Sequence, residues 1–146
     1  MKLLYSNILP LGTADDQQTI IDCFQEQLAK ADYVEIAVGY VSRASLEELD
    51  NLISDYSIKQ ICLNIGMYYI EGMPESSYHT AVKINKKWRA SRTGEIRIVR
   101  SFKYHGKLYC FYKDGVPFSA IIGSANLGVI KLEASNRRQY EISSLT

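Results

Sequence analysis

Residues 105–126 read HGKLYCFYKDGVPFSAIIGSAN, two strand-like runs joined by Asp114-Gly115. An Asp-Gly pair between alternating apolar runs marks a tight hairpin turn, because both residues tolerate positive φ. Lys107–Lys113 and Pro117–Ile122 are therefore expected to pair as neighbouring strands. On a period of two, His105 and Lys107 fall on one face where the first strand begins, and Gly123-Ser124-Ala125-Asn126 ends the second.

Upstream of this hairpin, helix and strand patterns alternate. Residues 15–31 read as an amphipathic helix with Ile20, Ile21, Phe24 and Leu28 on one stripe and Thr13 or Asp15 as its cap. Tyr33–Tyr40 follows as a strand. Ser45-Leu-Glu-Glu48 is a capping-box pattern that opens a second helix to about residue 56. Residues 59–67 form an apolar run of strand length, and residues 68–75, with Gly72 and Pro74, read as a loop. A third helix is expected over 76–90, with Ala81, Ile84 and Trp88 inward. Glu95–Arg100 alternates as a strand, a short helix follows Asn126, and Tyr140–Leu145 is a last strand. Alternation early and strands late predict an α/β domain whose mixed sheet is covered by helices on both faces.

The chain has 146 residues, 47% hydrophobic and 23% charged, which suits one globular domain with a real core. No apolar run approaches the roughly 20 residues of a membrane span, and the start lacks a signal-peptide pattern, so a cytoplasmic location is expected. Cys23, Cys62 and Cys110 stand singly in apolar segments and are expected to be reduced core thiols. The net charge of +1 conceals an asymmetry: residues 1–82 balance at −8 and residues 83–107 at +8. A basic segment in a neutral chain suits an anionic partner, or equally a solvated helix face. Within it, Lys83, Lys86, Lys87 and Arg89 are candidate contacts to phosphates of DNA. The abrupt end on Ser-Ser-Leu-Thr suggests a domain cut from a longer protein.

The chemistry implied by the hairpin ends is phosphoryl transfer. An imidazole is nucleophilic near neutral pH. Lys107 and Asn126 can donate to the non-bridging oxygens, where charge accumulates during displacement. Gly123 permits close backbone approach, so nearby N–H groups and the Ser124 hydroxyl can join the cradle. No carboxylate cluster for magnesium and no His/Cys set for zinc is present in the sequence pattern, so no metal or other cofactor is expected. A lone histidine entering a strand is usually structural; Lys107 and the Gly-Ser-x-Asn run reverse that reading here. His79, on the third helix, reads as a solvated residue, and Tyr68 and Tyr69 as base-stacking, interface or core residues alike.

The pair of motifs H-x-K and G-S-x-N resembles the signature of the phospholipase D superfamily. With Gly66-Met-Tyr-Tyr-Ile-Glu-Gly72 and the Gly-Ser-Ala-Asn-Leu-Gly run, nearly the whole chain is similar to the N-terminal catalytic domain of NgoFVII/BfiI-type restriction endonucleases. The resemblance implies an α/β/α sandwich with a mixed, mostly parallel sheet. It also implies a metal-independent DNA phosphodiesterase with His105 as nucleophile, Lys107 and Asn126 on the phosphate oxygens, and Ser124 in support. A single copy of the motif implies a homodimer whose two sets of residues build one site. A C-terminal acid would orient the histidine; Glu141 is the first candidate and Glu133 the second. The family's separate DNA-reading domain would lie beyond this chain.

Two departures are visible. Tyr112 stands where the superfamily has an aspartate, and the Lys107–Gly123 interval is about four residues longer than the broad pattern. Rival readings are a nuclease module of another DNA-processing protein such as a helicase, an inactive DNA-binding or dimerisation module, and a lipid-cleaving enzyme. The single motif and the lack of an interfacial helix disfavour the last.

Overall fold

The structure is a computed structural model that describes residues 1–6, 17–131 and 140–146. In chain order these form β1 (Lys2–Tyr5), β2 (Gln18–Thr19), α1 (Ile20–Leu28), β3 (Tyr33–Val38), α2 (Arg43–Asp55), β4 (Gln60–Ile65), α3 (Tyr68–Glu71), α4 (Glu75–Ala90), β5 (Gly94–Ile98), β6 (Leu108–Lys113), β7 (Val116–Gly123), a 3-10 turn (Leu127–Ile130) and β8 (Ile142–Leu145). The strands make one mixed sheet in the order β2-β1-β8-β7-β6-β3-β4-β5. Asp114 and Gly115 both take positive φ, 51° and 79°, as the hairpin requires.

The α/β class and the mixed sheet stand as expected, with a different balance of directions. Parallel pairing is confined to β1/β2 and the β3-β4-β5 block. The other four pairings are antiparallel, so the sheet is not mostly parallel. The reason is β8, which inserts between β7 and β1, a first strand too short to read from its own residues.

Helix coverage also differs. Val34, Ile36, Val38, Ile61, Leu63, Ile65, Tyr109, Phe111 and Ile121 alternate onto one fully buried face. Phe24 of α1 meets Tyr109 and Phe111 edge-on there, with ring centroids 5.7 Å apart in both pairs. Full burial of such an aromatic is worth roughly 2–3 kcal/mol. α2 lies between α4 and the 3-10 turn, which in turn touches α1, so these elements share that layer. Among the described residues, the opposite face has no helix packed on it. Its Glu35, Cys62, Asn64, Cys110 and Tyr112 are half-buried. Leu3, Ile122 and Ile142 are about half exposed.

Local signals shifted by small steps. α2 is capped by Ser42, not Ser45: Ser45 N donates to Ser42 Oγ at 3.1 Å and Ser42 N to Ser45 Oγ at 2.9 Å. The box is the expected device, displaced by one turn. α1 starts at Thr19, whose hydroxyl accepts from Asp22 N at 3.1 Å, while Thr13 and Asp15 lie outside the described residues. Residues 68–71 wind into the short α3 before Gly72 takes positive φ. No helix among the described residues is long and apolar enough to cross a membrane.

Candidate active site

β3 and β4 end side by side, and each is followed by a glycine that leaves room above it. Val99 N donates to Ile65 O at 2.9 Å, and Tyr104 N donates to Gly66 O at 3.0 Å. A side chain on Gly66 would collide with the backbone of Tyr104. The chain that leaves β5 is thereby returned onto the sheet end, and the next residue is His105. A Cβ on Gly39 would stand 3.1 Å from His105 Cδ2, 3.4 Å from Asn126 Oδ1 and 3.0 Å from Met67 Cγ. Histidine and asparagine, 21 residues apart in sequence, thus meet over one glycine.

The carboxamide is oriented by the backbone. Gly39 N and Tyr40 N both donate to Asn126 Oδ1 at 3.1 Å. With two donors on the oxygen, the Nδ2 amide is left as a free donor, and it has no partner among the described residues. His105 is exposed, its ring edge-to-face with Tyr40 at a centroid distance of 6.1 Å. Tyr40 meets Tyr68 at 5.4 Å. The Tyr68 hydroxyl donates to Val41 O at 2.7 Å and accepts from Val41 N at 3.1 Å. Tyr68 therefore belongs to the wall that supports the site, whereas Tyr69 is 53% exposed. Lys107 holds its ammonium beside the histidine, donating to His105 O at 2.7 Å.

Ser124 and Glu141 form a second pair. The Ser124 hydroxyl donates to Glu141 Oε2, and Ile142 N donates to it at 3.2 Å. Glu141 is tied to Ser6 through both its N–H and its carbonyl. Among the described residues, the carboxylate contacts Ser124 and the ring nitrogens of His105 have no hydrogen-bond partner. Glu133 lies outside the described residues. Gly123 permits close approach, but of β8: a Cβ there would collide with Ser143 and Ile142. The N–H groups of Gly123 and Ser124 serve Lys107 O and Ile142 O, so neither is free for a phosphate.

The basic helix does not join this group. The carboxyl end of α4 abuts the opposite end of the sheet, where Thr93 N donates to Trp88 O and Ile61 N to Thr93 O, both at 2.8 Å. From Ile61 to Gly66 the strand rises about 16 Å. Lys86 and Arg89 are exposed at that distant end, and Lys83 lines a groove between α2 and α4 with Arg43 and His79. Lys87 is committed to Asp50 at 2.7 Å, which also accepts from Trp88 Nε1 at 2.8 Å. Helical periodicity revealed a basic face but not the end of the sheet to which it runs.

Sequence reading gave no role in the site to four contributors, Gly39, Tyr40, Gly66 and Tyr109, although Gly66 opens one of the runs that carry the resemblance. A glycine directly after each apolar strand was the available signal for two of them. Tyr109 is buried, donating to Ala125 O at 2.8 Å from beneath the Gly-Ser-Ala-Asn loop. Burial drives its phenol far above the usual range, so it remains a neutral donor. Tyr109→Phe leaves that carbonyl unpaired and is expected to lower stability by about 1–3 kcal/mol. The change is read as a lower denaturant midpoint at constant m; an unshifted midpoint would show that the bond carries no weight.

A mixed α/β sheet whose strand ends bring a histidine and a backbone-pinned asparagine together over one glycine, with a lysine beside them, is a phospholipase D-like domain. The match to a family model makes the assignment specific: the chain belongs to the family described as NgoFVII restriction endonuclease N-terminal PLD domain, over residues 18–146. No curated protein matches the chain.

Proposed function

We propose that this domain hydrolyses DNA phosphodiester bonds through a phosphohistidine intermediate, without a metal ion, as the catalytic domain of a type II restriction endonuclease. The observation that carries the reading is the oriented carboxamide of Asn126 beside the exposed imidazole of His105. An unspent amide donor adjacent to a nucleophile suits a tetrahedral anion. In the first displacement a neutral His105 nitrogen attacks phosphorus as the bond to one deoxyribose oxygen breaks, and that oxygen takes a proton. In the second, water gives a proton back to the partner subunit's His105 as it attacks the phosphohistidine, the N–P bond breaks, and the histidine is regenerated with a phosphate monoester released. Lys107 and Asn126 Nδ2 hold the non-bridging oxygens through both steps.

A homodimer completes the scheme: the partner subunit's His105 supplies the proton to the leaving oxygen. Ser124 and Glu141 act as one unit at the rim, with the carboxylate fixing the hydroxyl. Lys83, Lys86, Lys87 and Arg89 have no place in this constellation.

The test is to incubate the protein with phosphorus-labelled DNA in EDTA and quench in base, which preserves phosphohistidine. Label is expected on the protein, stable to alkali and lost in acid, with cleavage undiminished by the chelator. Cleavage that stops in EDTA and returns with magnesium would overturn the mechanism.

A further inference from the structure

Between its two anchors, on Ile65 of β4 and on Gly66 just after it, the chain carries a four-residue projection, Arg100-Ser101-Phe102-Lys103, that neither the fold nor the chemistry above uses. All four residues are exposed, Phe102 at 60%. One exposed phenylalanine is unremarkable by itself. Here it is held at both ends, by Val99 on Ile65 and by Tyr104 on Gly66, and flanked by two cations. Residues 96–113 contain no acidic side chain. Three residues span at most about 10 Å of backbone, so the Cα of Phe102 lies no farther than that from the Cα of His105.

We infer that Phe102 stacks on a nucleobase next to the scissile phosphate, while Arg100 and Lys103 take the adjoining phosphates. The inference rests on the nuclease reading and names what the site grips beside the reacting bond. A benzyl ring offers a flat apolar face with no hydrogen bond to give, which suits any base and reads no sequence. Base faces within an intact duplex are covered by their neighbours, so the contact requires a single-stranded or frayed segment. A second copy of this chain is the rival occupant of the ring. It is disfavoured because Arg100 and Lys103 would accompany Phe102 into the contact and face their own copies across a two-fold axis.

The test measures binding of a fluorescent single-stranded oligonucleotide and of a blunt duplex of the same sequence. Wild type, Phe102→Ala, Phe102→Tyr and Phe102→Leu are compared, with oligomeric state followed by light scattering. Phe102→Ala is expected to weaken single-strand binding about five- to a hundredfold, and duplex binding less. Phe102→Tyr should retain affinity within about threefold of wild type, and Phe102→Leu should resemble alanine, because stacking needs a ring. Arg100→Ala and Lys103→Ala should each reduce the slope of log affinity against log salt by about 0.7, which Phe102→Ala should leave unchanged. Unaltered affinity in Phe102→Ala, full rescue by leucine, or a changed oligomeric state would each overturn the inference. Because binding is read, a chain that grips DNA but fails to cut it would sink the catalytic reading and leave this one standing.

Discussion

His105→Ala is expected to reduce DNA cleavage by about 10⁴-fold or more, as removal of a covalent nucleophile does elsewhere, while the fold stays intact. The imidazole is exposed, and among the described residues its nitrogens have no hydrogen-bond partner, so its loss strands no buried group. Its ring lies over Gly39 and edge-on to Tyr40, contacts that a smaller side chain gives up without a clash. Stability should therefore move by no more than about 0.5 kcal/mol, as for ordinary surface substitutions. Single-turnover cleavage with DNA in the presence of excess enzyme measures the chemistry, and a denaturant melt checks the fold. A variant that retains a tenth of the wild-type rate would mean that another group attacks phosphorus. A variant that loses activity together with its melting transition would mean that the histidine is structural.

How far the sequence announced this arrangement depends on the range over which each signal acts. Hairpin, helix faces and the late strands were legible because they rest on periodicity and on the local demand of Asp114-Gly115 for positive φ. The pairing of β8 with β1, and hence the excess of antiparallel ladders, joins residues about 140 positions apart and leaves no local trace. His105, Lys107 and Asn126 could be named because the residue types and their order are unusual together. What orients them could not. The two N–H groups on Asn126 come from Gly39 and Tyr40, 87 and 86 residues away, and belong to backbone that carries no side-chain signature. Gly123 illustrates the converse: a glycine read as room for a ligand turns out to be room for a neighbouring strand. Among the described residues, the hydroxyl of Ser143 beside it is buried without a partner, a cost that the tight β7–β8 approach imposes.

Asn126→Asp is expected to lower the cleavage rate by about 10²–10³-fold with the protein folded as well as the wild type. The substitution keeps the shape of the side chain and exchanges one donor for an acceptor. One carboxylate oxygen continues to receive Gly39 N and Tyr40 N, the bonds of 3.1 Å that fix the side chain. The other presents negative charge where Nδ2 would have met a phosphate oxygen, so attraction becomes repulsion. Two backbone donors favour the ionised form of the new acid. Raising the pH therefore cannot restore activity. Asn126→Ala is the contrasting variant: it strands two part-buried N–H groups and should cost about 1–3 kcal/mol of stability for each that water does not reach. The pair separates chemistry from architecture, with aspartate slow and stable, alanine slow and weakened. If the aspartate variant cleaves at the wild-type rate, the free amide of Asn126 does not touch the reacting phosphate.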